Sequence, residues 1–260
     1  MHRSKSPAFD IGRLTRFGVV KLTSIVALVV LTLGLGGNNR ANAAGISINT
    51  PAGLNPGDTF RIAFVTDATT AATSNSIATY NTFVNADAIA EAGGGSVTYN
   101  GNPISFSAIG STEATNAIDN IGQFGAPVYL VSGTEVALSD TALTGGLWSG
   151  HLFSPILTDL LGITPGSPLT WAGTDITGSA YAPYTLGSPR PTLGYTPSVS
   201  GAWILEQFSD PQYGASMYGI SQPLTVPTPE PSSIVLGLLA AGCGALGAFV
   251  RRRRAATRGR

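Results

Sequence analysis

The sequence predicts an α+β fold: a β-rich single extracytoplasmic domain with one main helix, set between an N-terminal signal helix and a C-terminal transmembrane helix. Three observations predict it. Uncharged apolar runs, Leu22–Leu35 and Ser232–Val250, stand near the two ends beside basic residues. One stretch of the body, Ser74–Ala92, has helical spacing, with Ile77, Tyr80, Phe83, Val84 and Ala88 on one face. The rest alternates short apolar runs with Gly-, Pro- and Asn-containing turns, the pattern of hairpins. The divisions are a signal peptide over 1–43, the domain over 44–226 and a membrane-directed tail over 227–260.

The N-terminus comes first. Arg3, Lys5, Arg13, Arg16 and Lys21 precede the apolar run, and Ala41-Asn42-Ala43 follows it. Basic, apolar, small is the order of a secretory signal peptide cut after Ala43, with the secretion translocon and signal peptidase as partners. An uncleaved anchor helix is the alternative, but the apolar core is short for a span. Arg3 and Lys5 form no twin-arginine pair, so general secretion is expected.

In the body, Phe60–Thr66 reads as a core strand after the Asn55-Pro56-Gly57-Asp58 turn. The helix follows, capped by Ser74 or Asn75 and stopped by Gly93-Gly94-Gly95. Val97–Tyr99 and Ile104–Ile109 flank Asn100-Gly101 and read as a hairpin. Ala114–Ile121 is a short helix or a loop. Pro127–Val131 and Thr134–Ala137 form a second hairpin around Ser132-Gly133. Pro155–Gly162 is expected to make one or two helical turns, and Leu169–Trp171 a strand. Tyr181–Ser200, with four prolines, reads as loop. Ala202–Glu206, Met217–Ile220 and Leu224–Val226 read as late strands.

The formal net charge of zero hides a strong asymmetry. Between Gly45 and Glu230 the bases are Arg61 and Arg190, against thirteen acids, an excess of eleven negative charges. Such a body repels nucleic acid, because phosphate binding needs Lys and Arg. The single cysteine, Cys243, lies in the C-terminal apolar run, so the domain has no disulfide, zinc-thiolate site or cysteine nucleophile.

The tail carries Pro229-Glu230-Pro231, then Ser232–Val250, then Arg251, Arg252, Arg253 and Arg254. As a helix the run is about 28 Å long, enough to sit across membrane lipid. The arginines would hold its end in the cytoplasm. These three parts in this order resemble the PEP-CTERM sorting signal of bacterial exported proteins. The resemblance implies an exosortase, a membrane cysteine transpeptidase-like protease, that processes the tail near the triplet. It also implies release to the cell surface or an extracellular matrix, in a setting where exopolysaccharide is made. A plain single-span anchor is the alternative.

A second, diffuse resemblance covers most of the body. Phe60–Thr66, Ile77–Ala92, Ile109–Thr112, Pro127–Gly133, Leu147–Gly150 and Trp171–Thr174 are similar in order to exported bacterial domains with a C-type-lectin-like fold. The disulfides and the Glu-Pro-Asn and Trp-Asn-Asp calcium motifs of sugar-binding members are missing, so the resemblance does not bring sugar binding with it. An unrelated β-rich domain fits the same segments.

Chemistry is sparse. A Ser-His-Asp arrangement would have to use His151, with Ser149 or Ser154, and no Gly-x-Ser-x-Gly elbow is present. No catalytic residue and no bound cofactor are expected. Asp119 and Asp175, in loops before glycines, are weak calcium candidates that Asx turns explain equally well. Trp148 and Trp171, with Asp175, are candidates to bind carbohydrate, although core packing explains apolar-flanked tryptophans better. Glycoside hydrolysis needs two acids that face each other, and spacing selects no pair among the thirteen. The reading is a non-enzymatic exported surface or matrix protein. A carbohydrate-binding or adhesive module is the alternative, and an extracellular carboxylate hydrolase the third.

Overall fold

A computed structural model describes residues 45–229. The signal peptide with Ala41 and Ala43, the run Ser232–Val250, Glu230, Pro231 and Arg251–Arg254 lie outside the described residues. Among the described residues no helix is long and apolar enough to cross a membrane.

The domain is β-rich around one main helix. In chain order the elements are β1 (Ile46–Ile48), β2 (Thr59–Val65), α1 (Ile77–Glu91), β3 (Val97–Tyr99), β4 (Asn102–Pro103), β5 (Phe106–Ala108) and α2 (Ala117–Ile121). They continue with β6 (Val128–Tyr129), β7 (Glu135–Ala137), β8 (Leu169–Trp171) and β9 (Thr192–Tyr195). A 3-10 turn (Gly201–Trp203), β10 (Gln207–Phe208), β11 (Ser216–Ser221) and β12 (Leu224–Thr225) complete it. The large mixed sheet runs β10-β9-β8-β11-β2-β6-β7, with β12 also on β2 and β5 also on β11. A small sheet holds β1, β3 and β4.

The period of two in β2 and β11 divides the interior. Phe60, Ile62 and Phe64 point to one face and Ala63 and Val65 to the other, each with its own core. The first core takes Tyr80, Val84 and Ala88 of α1, with Phe106, Trp171 and Met217. The second takes Trp148, Trp203, Tyr218 and Ile220. Because both faces are covered, all of Phe60–Val65 and Ser216–Ser221 are buried. Gly219 lies opposite Phe64, and a Cβ there would strike that ring and Val84. Its bare backbone lets α1 lie close on the central strands.

The inner face of α1 is not purely apolar. Asn85 donates to the Phe106 carbonyl and accepts from the Phe106 amide, at 2.6 and 2.9 Å. Asn81 accepts from Ala108 N–H at 2.8 Å and exchanges hydrogen bonds with Asn120. These amides pair with the backbone of β5 as a neighbouring strand would.

Several expectations are corrected. The Asn100-Gly101 turn is real, with φ of 50° and 76°, but β4 is the partner of β3. Strand β5 pairs instead with β11. The helix begins at Ile77 after Ser76, whose side chain makes no cap bond; Ser74 is engaged with the Tyr80 hydroxyl through its backbone. Pro155–Gly162 forms no helix. The Asp159 carboxylate accepts from Leu161 and Ile163 N–H, and Thr158 O accepts from Val65 N–H. Ala202–Glu206 is not a strand. A 3-10 turn there swings Trp203 into the second core, where its carbonyl accepts from the Tyr218 hydroxyl at 2.8 Å. Within the expected loop 181–200 lies strand β9, paired with β8 and β10.

Candidate functional site

The exit of the chain is built by β12. Val226 N–H donates to Asp58 O at 2.8 Å, and Gly57 N–H to Val226 O at 2.9 Å. Val226 is buried, whereas Pro227, Thr228 and Pro229 are exposed. Pro227 and Pro229 lack an N–H and so cannot extend the pairing. The folded body therefore ends at Val226, and the first residue of the Pro-Glu-Pro triplet stands free of it.

The carbohydrate candidates are not a surface platform. Trp171 is fully buried, and its Nε1–H donates to Thr70 O at 2.8 Å. Trp148 is 3 % exposed and packs on Trp203, with ring centroids 6.0 Å apart. Asp175 Oδ1 accepts from Thr177 N–H, Thr177 Oγ1–H and Ser179 N–H, an Asx turn. Asp119 Oδ2 accepts from Asn116 Nδ2 at 2.8 Å. Asp119 is not in a loop but in α2, which meets the Asp175 loop through Ile118 N–H to Gly178 O and Ala180 N–H to Asn116 Oδ1. Among the described residues no group of three His, Cys, Asp or Glu side chains could hold a metal ion.

His151 lies on the wall of an open depression of about 550 Å³ with Leu138, Trp148 and Phe153. Its neighbour Ser149 turns away from it in function. The Ser149 hydroxyl bonds the carbonyls of Gly146 and His151, at 2.7 and 3.0 Å, and not an imidazole nitrogen. A nucleophile hydrogen-bonds its base, and here the Ser149 hydroxyl is engaged with backbone carbonyls instead.

The structure does bring acids together, at a place the sequence does not mark. Asp87 and Glu91 are one helical turn apart on α1, where like charges repel. Asp87 Oδ1 accepts from Ala68 N–H and Glu91 Oε2 from Leu160 N–H, at 3.0 and 2.8 Å. Their other oxygens, Oδ2 and Oε1, are buried without a donor. A proton held by Glu91 and donated toward Asp87 gives both oxygens a partner. Burial first, then the hydrogen bond that protonated Glu91 donates to Asp87 and the charges of Asp87 and Asp159, push Glu91 up to about 8. The pair fastens the loops around Ala68 and Leu160 to the helix.

A pH dependence follows. Glu91 holds its proton more tightly folded than unfolded, so its contribution is complete below its ordinary value of 4.5 and is lost as pH rises through about 8. Melting temperature should fall across that window. Glu91→Gln, whose amide can donate to Asp87 and accept from Leu160, should flatten the fall. Thermal melts of both chains against pH check this, and parallel curves would count against the shared proton.

A further cluster escaped the sequence reading altogether. Tyr181, Tyr184 and Phe208 stack beside the loop 182–189. Tyr181 and Phe208 are nearly parallel, at 14° with centroids 6.3 Å apart, and Tyr184 lies 4.3 Å from Phe208. The same loop bounds a cavity of about 360 Å³ with Asn75 and Glu113. The only signal in the sequence was an accumulation of tyrosines and prolines in a stretch read as loop.

The fold and exit define a β-rich domain that hands over, without a structured spacer, to a tail with the layout of a sorting signal. The family model for the PEP-CTERM protein-sorting motif matches residues 227–254, beginning at the residue after Val226. The chain thus carries a PEP-CTERM sorting motif and is an exported target of an exosortase. No curated protein matches the chain. The resemblance of the body to C-type-lectin-like domains is thus not confirmed.

Proposed function

We propose that the protein is an exported, non-enzymatic component of the cell surface or extracellular matrix, freed from a membrane-held precursor by exosortase processing near Pro229. The observation that carries this is the match at 227–254, which starts where the domain's last hydrogen bond ends. An exposed Pro227–Pro229 leaves a processing enzyme access to the triplet without unfolding of β12. The excess of acids over bases in the body supports solubility outside the membrane. A non-catalytic role is supported by the engagement of the Ser149 hydroxyl and of the Asp87 and Glu91 carboxyls in holding backbone.

The test is an intact-mass measurement on the exported protein from a host with an exosortase and from the same host without it. With the enzyme, the C-terminus should lie near Pro229 and Arg260 should be gone. Without it, or with Arg251, Arg252, Arg253 and Arg254 all replaced by glutamine, the tail should remain and the protein should stay with the membrane. Exported protein retaining Arg260 in every host would overturn the reading.

A further inference from the structure

We propose that the cavity between Asn75, Glu113 and Ser188, together with the ridge of Tyr181, Tyr184 and Phe208, binds a neutral saccharide chain. The inference does not depend on how the tail is processed.

The cavity is at the lower end of small-molecule sites, which run from roughly 300 to 1,000 Å³. Its wall is part apolar, from Pro183 and Pro189, and part polar. Ser188 contributes to the wall, while its Oγ lies beneath the surface, out of contact with the cavity. Glu113 is exposed, and among the described residues its carboxylate joins no ion pair or hydrogen bond. Asn75 adds an amide that both donates and accepts. A carboxylate and an amide around one small space suit vicinal hydroxyls, which donate and accept from adjacent carbons.

The ridge supplies the other half of the recognition. A pyranose ring presents a face of C–H groups, which packs on the electron-rich face of an aromatic ring. Phe208 is 39 % exposed, on the short edge strand β10, and both tyrosines are partly exposed. Tyr181 and Tyr184 bracket Ala182 and Pro183, two residues of the cavity wall, so ridge and cavity are within the reach of one short oligosaccharide. Three such rings in mutual contact at a surface are an apolar patch in need of a use.

The site is held in shape before any ligand arrives. Leu186 N–H donates to Ser111 O, Gly187 N–H to Ala72 O and Thr192 N–H to Tyr184 O, at 2.9, 2.9 and 3.0 Å. Gly187 has φ of 84°, and a Cβ there would strike Asn75 Cα and Ser74 O. That close approach sets Asn75 beside Ser188, and a fixed loop binds without a large ordering cost. Charge chooses the ligand class. Glu113 and the surplus of acids on the body disfavour uronate- or sulfate-bearing chains, so the ligand is neutral.

The experiment is isothermal titration of the full chain in detergent micelles with cello-, laminari- and malto-hexaose, and with oligogalacturonate as the acidic arm. At least one neutral hexaose should bind and oligogalacturonate should not. Tyr184→Ala and Phe208→Ala should each weaken binding about tenfold, the loss of one stacking surface. Glu113→Gln, an exposed change that leaves folding intact, should weaken it several-fold. Tyr195→Ala, at an exposed tyrosine outside the cluster, should leave it unchanged. Failure of all three neutral arms, preference for the acidic arm, or equal binding by the Tyr184, Phe208 and Tyr195 variants would each overturn the proposal.

Discussion

Asp140→Ala is expected to cost about 3–5 kcal/mol, a large part of the stability of an ordinary domain. Arg61 sits on β2 between two buried strands and is 1 % exposed; Asp140 is fully buried. Arg61 Nη1 donates to Asp140 Oδ2 at 3.0 Å and to Gly122 O at 3.2 Å, and Nε donates to Ser221 O at 2.7 Å. The guanidinium also lies over the Phe124 ring, 5.4 Å from its centroid. Burial pulls the pKa of Arg61 down and Asp140 opposes that shift. Asp140 meanwhile accepts from Phe124 and Gly125 N–H, so it holds the 122–125 loop over the cation.

Removing the carboxylate leaves a buried cation without a counter-charge and two amides without an acceptor. Breaking one partner is therefore worse than replacing both. Arg61→Met with Asp140→Leu should recover much of the loss, because apolar groups of similar size need no desolvated charge. Asp140→Asn should fall between, keeping an acceptor but not the charge. Urea unfolding followed by the fluorescence of the buried tryptophans checks the series. A loss under about 1 kcal/mol for Asp140→Ala would place the pair in water, as for a surface bridge.

This pair also shows where sequence reading stops. Arg61 stands out in the sequence as one of two bases in the body, yet its partner lies 79 residues away and spacing offers no link. Periodicity assigns faces, and it placed β2, β11 and α1, while turn chemistry placed Asn100-Gly101. It does not assign partners, so the pairing of β5 with β11 was missed. The inner face of α1 was only half legible, because Asn81, Asn85 and Asp87 are inside for hydrogen bonding and not for burial of apolar surface. Trp203 reads as strand because it is apolar and flanked by Ile204; the fold needs it turned inward. The sorting tail is the opposite case. Its signal is a linear order of parts, which no folding is needed to assemble, and the motif itself was legible, as the family match at 227–254 shows. The cavity lined by Asn75, Glu113 and Ser188 joins three separate segments, and only the folded chain puts them together.

Trp171→Ala should lower stability by about 3–5 kcal/mol, which for a domain of this size is a fall of about 6–20 °C in melting temperature. Trp171 is fully buried in the first core, on β8, where it is flanked by β9 and β11. Truncation removes the indole that meets Tyr213 edge-on, at 6.3 Å and 78°. It also leaves Thr70 O without the Nε1–H that it accepts. Trp171→Phe should recover most of the packing but not that hydrogen bond, at roughly 1–3 kcal/mol below the parent chain. The two variants decide how any binding result is to be read. Were Trp171 a sugar platform, Trp171→Phe would keep an aromatic face and Trp171→Ala would abolish binding in a folded protein. A core role predicts instead that Trp171→Ala loses binding only together with its fold. Trp171→Phe then binds the hexaose as the parent does while melting earlier. Near-ultraviolet circular dichroism beside the titration separates the two, and a fully folded Trp171→Ala with unchanged melting temperature would refute the core assignment.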